Sequence, residues 1–221
     1  MAHIDSIIFG FGYKARSGKD TAVAEIVKQR DSIYDVRRYS FADVLKREVN
    51  AAAVESGGML SLLSLNTKRF AMCDGYYVNF PDWVTYDSAA PMDDPLCPLG
   101  KQRTLLQWWG GEFRRKQDPE YWIKKLAEQI AEDKPEIALI TDLRYKNEFD
   151  FCRQYGETVK VVRPGIDKGT HASETELDSV SDTEWSAVLT NDGSLEQFKQ
   201  KSVELFDDLL TRFPKGYGAG V

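Results

Sequence analysis

The sequence has few of the residues on which disulfide-rich, zinc-binding or histidine-dependent proteins rely. Its three cysteines, Cys73, Cys97 and Cys152, are odd in number and lack paired metal-type spacing, which argues against a disulfide framework or a zinc site. The two histidines, His3 and His171, are too few to indicate a histidine-based mechanism. Free thiols are typical of a reducing compartment, so we expect a cytoplasmic protein.

Long apolar runs are also missing. No stretch approaches the roughly 18 apolar residues of a membrane span, and Asp5 interrupts the N-terminal segment before a signal-peptide pattern can form. We therefore expect no membrane partner. The net charge of −6 argues against broad nucleic-acid binding, which needs a basic face, but allows a local cluster of cations to bind one anionic metabolite.

The order of apolar and amphipathic segments predicts an α/β fold. With 221 residues, 42% of them hydrophobic and 29% charged, the chain can form one globular domain with a substantial core. Short β-prone runs alternate with helical patterns, which indicates a parallel sheet with helices on both faces. Strands are predicted at 6–11, 36–40, 137–141, 158–162 and 187–190, and helices at 19–29, 41–53, 145–154 and 194–210.

The middle of the chain, about 54–134, breaks this alternation and is predicted to be a mainly helical insertion. Within it, residues 74–100 have prolines between aromatic residues and are expected to form a long irregular loop, either functional or mobile. Helices are predicted at 103–113 and 120–132. The last helix of the chain should begin at Ser194, which lies three residues before Gln197 in a capping-box pattern.

A glycine-rich turn ending in Gly18-Lys19 follows the first predicted strand and precedes the first helix. This is the arrangement of a P-loop, whose backbone N–H groups bind phosphate oxygens while the lysine reaches the outer phosphates. Five residues separate Gly12 from Gly18, one more than the usual four, and Asp20 stands where Ser or Thr normally holds magnesium. The hydroxyl comes one step later, at Thr21. A chance Gly/Lys turn is the alternative.

Two further strand ends carry polar residues, and ligands of such sheets bind at the carboxyl ends of strands. Asp142 follows the buried 137–141 run, where an acid can hold magnesium beside a P-loop. Arg144 could neutralise the phosphoryl group in transfer, although a surface salt bridge between these neighbours is the alternative. Arg163 ends the next strand.

A monophosphate acceptor would need its own cations, because it carries close to two negative charges. Arg103 and Arg114 flank a helix that also bears Gln107, Trp108 and Glu112. Arginine forks suit phosphate, and an amide with an aromatic ring suits a base, although adjacent tryptophans are more often core. The candidate acceptor residues are Lys46, Arg69, Arg103, Gln107, Trp108, Glu112 and Arg114.

Taken together, these blocks resemble the deoxynucleoside monophosphate kinases of bacteriophages, the T-even type. The matching positions are Lys14 and Arg16 to Thr21, Arg103 to Gln107 with Gly110 to Glu112, Tyr121-Trp122, Asp142 to Arg144 with Glu148, Val161 to Gly165, Thr170-His171 with Glu174, and Leu189 to Glu196. They span most of the chain apart from about 54–100, and as an ordered set they are far more specific than the P-loop alone.

The resemblance implies a P-loop NTPase-type fold, ATP and Mg²⁺, and γ-phosphoryl transfer to a deoxynucleoside monophosphate in phage nucleotide supply, in the host cytoplasm. Metal would be held by Asp20 and Asp142, and the catalytic residues would be Lys19, Asp142 and Arg144. The expected ATP-binding residues are Gly12, Lys14, Arg16, Ser17, Gly18, Lys19, Asp20, Thr21, Arg163, Asn191 and Gly193. The chain would be a single domain, 1–221, whose insertion binds the acceptor and whose segment of about 163–185 forms a lid.

Two other functions stay open at this point. One is a different small-molecule P-loop kinase, of the dephospho-coenzyme A or phosphomevalonate type. The other is a nucleotide-binding regulator that hydrolyses ATP slowly and has no phosphorylated acceptor. The base accepted and the oligomeric state, for which a homodimer is the common case, are also open.

Overall fold

The computed structural model describes residues 3–58, 62–63, 71–73, 76–78, 80–166 and 175–214, with backbone only at 71–73 and 76–78. The chain divides into two compact units, Met1–Phe41 with Ile123–Val221, and Ala42–Trp122. No helix in the described part of the chain combines the length and the apolar character that crossing a membrane would require.

The first unit is built on a parallel sheet. Its strands are β1 (Ile7–Gly12), β2 (Val36–Tyr39), β5 (Ile137–Leu143), β6 (Gly156–Val162) and β7 (Ala187–Thr190). They lie in the order β2-β5-β1-β6-β7, and every pair is parallel. Because successive strands are joined through helices and β1 lies at the centre, this is the sheet of a P-loop NTPase-type α/β fold, as the sequence predicted.

Helices cover this sheet on both sides. They are α1 (Lys19–Arg30), α6 (Lys146–Tyr155) and α7 (Leu195–Leu210). Side chains of β1 alternate between the faces. Ile7, Phe9 and Phe11 belong to the core shared with α1 and α7, and the Phe9 and Phe206 rings lie 4.9 Å apart.

The opposite face of β1 carries Ile8 followed by two glycines, Gly10 and Gly12. A Cβ on Gly10 would lie 2.8 Å from the Cys152 Sγ of α6, and a Cβ on Gly12 would lie 2.8 Å from the Leu143 Cβ. The missing side chains let α6 approach the centre of the sheet closely. α7 begins at the predicted capping box, in which the Ser194 Oγ accepts from the Gln197 amide at 3.2 Å.

The second unit contains the helices of the predicted insertion. Helix α2 (Phe41–Glu55) leads into it, and α5 (Tyr121–Asp133) leads out of it. Between them, α3 (Arg103–Gln107), a π-helical segment (Trp108–Arg114) and α4 (Arg115–Gln117) follow one another without a break. The sequence predicted one α-helix at 103–113 and missed the π-helical winding.

The prediction of an irregular loop at 74–100 is wrong at the start of that segment. A hairpin of β3 (Ala71–Cys73) and β4 (Tyr76–Val78) pairs antiparallel there. Residues 80–100 contain no helix or strand, but the amide of Gln102, a buried side chain, donates to the Asp87 carbonyl at 3.0 Å and accepts from the Asp87 N–H at 2.8 Å. This two-way pairing fixes part of the loop.

Candidate nucleotide-binding site

The turn between β1 and α1 has the backbone of an anion-binding loop. Tyr13, Arg16 and Gly18 have φ of 92°, 59° and 111°, so the chain curls repeatedly before the helix begins at Lys19. A Cβ on Gly18 would lie 2.8 Å from the Asn191 Nδ2, so glycine is needed for space as well as for its left-handed backbone. Curled backbone and a helix N-terminus both point N–H groups toward an anion.

Lys19 is buried in this loop. Its ammonium donates to the backbone oxygen of Lys14, to the Tyr13 carbonyl at 3.4 Å and to the Ser17 Oγ at 3.4 Å. These three oxygens bind the ammonium at the base of the loop. A phosphate there would be attracted in a medium that screens charge less than bulk water does.

A cavity of about 320 Å³ lies over the loop, at the lower end of the range for small-molecule sites. It contains three cationic side chains and one carboxylate, so its balance favours an anion. Its lining residues are Arg16, Gly18, Lys19, Asp20, Thr21, Arg163, Asn191, Gly193, Leu195 and Phe198. The structure thus brings together eight of the predicted nucleotide-binding residues.

Leu195 and Phe198 line the cavity without having been predicted. Leu195 is 58% exposed although it is apolar, and Phe198 is buried. The sequence gives little indication that these two residues line a ligand site, because apolar residues in the first turn of an amphipathic helix usually belong to the core.

Three predicted ATP-binding residues, Gly12, Lys14 and Ser17, do not line the cavity within the part of the chain that the structure describes. Ser17 is buried, and its carbonyl accepts from the Asn191 Nδ2 at 3.0 Å, which ties the loop to the end of β7. The Lys14 Nζ lies 2.6 Å from an Asp178 oxygen. Their direct contact with ATP stays a prediction.

Arg144 directly follows β5, but Asp142 lies within it, because the strand extends to Leu143, two residues beyond its predicted end. Asp142 also has partners already. One carboxylate oxygen accepts from the Ser40 Oγ at 2.9 Å and the other from the Phe41 N–H at 2.9 Å, so Asp142 caps the start of α2. The Arg144 N–H donates to the Glu148 Oε2 at 2.9 Å. The catalytic and metal-binding roles of Asp142 and Arg144 stay predictions.

Oxygen donors suited to Mg²⁺ are present at the cavity. The Asp20 side chain is 77% exposed, with its carboxylate 3.4 Å from the Arg38 Nη2, and Thr21 follows it. The described residues contain no group of three or more His, Cys, Asp and Glu side chains that could hold a metal alone. Mg²⁺ usually takes one or two carboxylates, several waters and substrate phosphates, so this donor set fits it.

The predicted acceptor residue Lys46 lies between two carboxylates of the second unit. Its Nζ is 3.2 Å from an Asp43 oxygen and 2.9 Å from an Asp94 oxygen. Burial lowers the pKa of Lys46, but the hydrogen bond to Asp94 and the charge of Asp43 outweigh it, and the net pKa is raised. Lys46 therefore stays charged. Arg69 lies outside the described residues.

Arg114 is buried and bound to Glu48. The Glu48 Oε1 accepts from the Arg114 Nε at 2.6 Å and from the Trp109 Nε1 at 2.7 Å, and the Oε2 accepts from the Tyr121 hydroxyl at 2.6 Å. The guanidinium carbon lies 4.5 Å from the centre of the Tyr121 ring. Arg114 thus has a fixed orientation.

The other predicted acceptor residues divide by exposure. Trp108 is buried, with its ring stacked on Phe113 at 5.2 Å and edge-on to Phe80 at 4.9 Å, so it packs the aromatic core of this unit. Arg103, Gln107 and Glu112 are exposed. Substrate contact by these four residues stays a prediction.

Residues 102–202 match the sequence model of a family described as deoxynucleotide monophosphate kinase. The match begins in the second unit, one residue before α3, and ends within α7. Comparison with curated proteins gives no match.

The solved structures that are similar to the chain include two kinases. An unliganded sugar kinase from Janibacter sp. HTCC2649 is 13% identical over 91% of this chain and 95% of its own, with a TM-score of 0.43. A dephospho-CoA kinase from Campylobacter jejuni is 13% identical over 93% of this chain and 98% of its own, with a TM-score of 0.48. Because both scores lie below 0.5, the fold assignment depends on the sheet order and the P-loop. Together with the family match, these features support a nucleotide kinase of the P-loop class.

Proposed function

We propose that the protein transfers the γ-phosphoryl group of ATP to a deoxynucleoside monophosphate, giving ADP and a deoxynucleoside diphosphate. The cationic cavity over the P-loop is the observation that carries this proposal, because it joins Arg16, Lys19 and Arg163 around an anion-binding turn. The deoxynucleotide acceptor is supported by the family match over 102–202. The role in phage nucleotide supply, in the host cytoplasm, has the sequence resemblance as its support, and a homodimer stays an expectation.

Phosphoryl transfer needs positioning and charge neutralisation more than covalent chemistry by the protein. An ionised phosphate oxygen of the acceptor would attack the γ-phosphorus. The bond from that phosphorus to the β–γ bridging oxygen would break, and ADP would leave with the electron pair. No general base is required, because the nucleophilic oxygen already carries charge.

The residues of the cavity would bind the phosphates of ATP, hold Mg²⁺ and neutralise charge. Lys19 would exchange its loop oxygens for β- and γ-phosphate oxygens, and Arg16 and Arg163 would neutralise further charge. Asp20 and Thr21 would hold Mg²⁺, with Asp142 as a further carboxylate. When bound, Mg²⁺ supplies charge neutralisation at the β- and γ-oxygens. Arg144 would stabilise the phosphoryl group in transfer.

A coupled assay of ADP release tests the proposal. The panel contains deoxynucleoside and ribonucleoside monophosphates, dephospho-coenzyme A and phosphomevalonate, with a sample lacking acceptor as the control. We expect ADP release to rise with at least one deoxynucleoside monophosphate. A rise only with dephospho-coenzyme A or phosphomevalonate would move the enzyme to another P-loop kinase class. Slow release unaffected by any acceptor would indicate a regulator and overturn the proposal.

A further inference from the structure

The start of the P-loop is held in place by specific contacts. Tyr13 directly follows β1 with φ of 92°, and its N–H donates to the Leu143 carbonyl of β5 at 3.3 Å. A tyrosine in this left-handed region is strained, so neighbouring groups must fix it there.

Lys14 supplies the first of these groups. Its ammonium lies 2.6 Å from an Asp178 oxygen and 4.8 Å from the centre of the Tyr13 ring. The Lys14 side chain is 8% exposed, against 37% for Asp178. The ion pair offsets the cost of burying the Lys14 ammonium, and it ties the loop to the 3₁₀ turn Glu176–Ser179.

A second ion pair supports the same ring. The Lys160 Nζ of β6 lies 2.6 Å from an Asp182 oxygen and 4.2 Å from the centre of the Tyr13 ring. The Tyr13 hydroxyl also hydrogen-bonds to Asp178. Burial first, and then this hydrogen bond, raise the pKa of Tyr13, so the phenol stays protonated and neutral between the lysines.

We propose that Asp178 is a positioning residue that acts through Lys14 and Tyr13 to set the P-loop for ATP, so that Lys14 anchors the loop and is not a phosphate ligand. This inference rests on the proposed function. It gives Lys14 a different role from the one that the sequence suggested. The cavity supports it, because Arg16 and Lys19 line that space, whereas neither Lys14 nor Tyr13 does so in the described part of the chain.

The alternative makes an opposite prediction. If Lys14 bound phosphate directly, Asp178 would compete with ATP for its ammonium. Asp178→Asn would then tighten ATP binding, and Lys14→Met would weaken it. If Lys14 is an anchor, both substitutions release the loop and both weaken ATP binding.

Calorimetric titration with ATP and Mg²⁺ separates the two cases. We expect Asp178→Asn and Lys14→Met each to raise the Kd of ATP on the order of 10-fold, the lower end of what supporting partners around bound metals contribute. The double variant should lose no more than either single variant, because both break one unit. Tighter ATP binding in Asp178→Asn, or additive losses, would overturn the proposal.

Asp207→Asn is the matched control. Asp207 pairs with Arg30 in a partly buried contact between α1 and α7, so its loss lowers stability without touching the P-loop start. We expect its Kd for ATP to be unchanged.

Tyr13→Phe is a milder variant that keeps the ring and removes the hydroxyl. It should weaken ATP binding less than Asp178→Asn does. An unchanged or lower Kd for ATP in Tyr13→Phe would count against the anchor.

The acceptor provides the remaining readout. The KM for the monophosphate should stay within about twofold in all these variants, because the P-loop binds ATP and not the acceptor. An equal loss of affinity for ATP and for the monophosphate would indicate general unfolding and contradict the proposal. If the unmodified protein binds no ATP, the proposed function itself fails. Normal ATP binding with an unaffected Asp178→Asn variant would remove the anchor alone.

Discussion

In the proposed reaction, Lys19 is the side chain on which phosphoryl transfer should depend most. Its ammonium is buried and bound to oxygens of its own loop, which sets it at the base of the anion site. Lys19→Ala should reduce turnover by about 10²–10³-fold, the scale for loss of one preorganised charge. Lys28→Ala, an exposed lysine of the same helix, is the control and should keep full activity. Steady-state kinetics measure both, and wild-type turnover in Lys19→Ala would refute the P-loop assignment.

Asp142 caps α2 in the structure and is proposed to bind Mg²⁺, and a magnesium titration can separate these two roles. Asp142→Asn should raise the Mg²⁺ concentration needed for half-maximal rate, because the amide binds a cation more weakly than the carboxylate does. It should also lower thermal stability, since an amide cannot accept from both Ser40 and Phe41. An unchanged titration with a lowered melting temperature would leave Asp142 as a helix cap only.

Ala variants of Arg103 and Arg114 should both weaken binding of the monophosphate, but they should differ in their effect on the stability of the fold. Each Ala variant should raise the KM for the monophosphate by the equivalent of about 1.5–3 kcal/mol per lost charged hydrogen bond. ATP binding without acceptor should barely change. Arg114→Ala alone should also destabilise the fold, by about 3–5 kcal/mol, because Glu48 would be left without its charged partner.

Lysine substitutions are the control for this pair. Lysine should restore activity only in part, because a point charge cannot reproduce an arginine fork. Kinetics with varied monophosphate and thermal unfolding give the two measurements. If both Ala variants keep a normal KM, the acceptor site uses other cations, with Lys46 and Arg69 the next candidates.

At the scale of elements, the P-loop turn depends on Gly18. Its φ of 111° and the nearness of Asn191 and Phe198 leave no room for a methyl group. Gly18→Ala should therefore lower the free energy of unfolding by about 1–3 kcal/mol, the usual cost of such backbone strain. Gly111→Ala is the control, since nothing lies within 4 Å of the added carbon, and it should be neutral or mildly stabilising. Chemical denaturation measures both, and equal effects would contradict the steric argument.

The elements that the sequence predicted well are those with a strong local signal. The near-continuous apolar run at 137–141 predicted a buried strand, and β5 contains it and extends to Leu143. The Ser194–Gln197 capping pattern marked the start of α7 correctly. Glycine followed by lysine between a strand and a helix placed the P-loop, because this arrangement is encoded within a few consecutive residues.

What the sequence could not predict depends on distant partners or on weak local signals. The short hairpin of β3 and β4 lies among aromatics and prolines, which indicated a loop. The π-helical winding at Trp108–Arg114 reads as an ordinary helix, because its apolar residues suit either geometry. The pairing of Lys14 with Asp178 joins residues far apart in the chain, so no spacing rule could find it.

At the scale of the whole molecule, ATP binding should raise the free energy of unfolding. A ligand that binds only the folded state at 100 times its Kd stabilises by about 2.7 kcal/mol. We expect ATP with Mg²⁺ to raise the melting temperature, and Lys19→Ala to abolish most of that rise. Differential scanning fluorimetry measures this, and an equal rise in both proteins would mean that ATP binds elsewhere.

The central position of β1 also has a consequence for biosynthesis. Both of its neighbours, β5 and β6, follow it by about 130 residues or more. At roughly 5–20 residues per second, the ribosome delivers the first partner roughly 7–26 s after β1 itself. During that interval the apolar β1 has no strand beside it, so the nascent chain is a natural client for a chaperone that binds short hydrophobic segments.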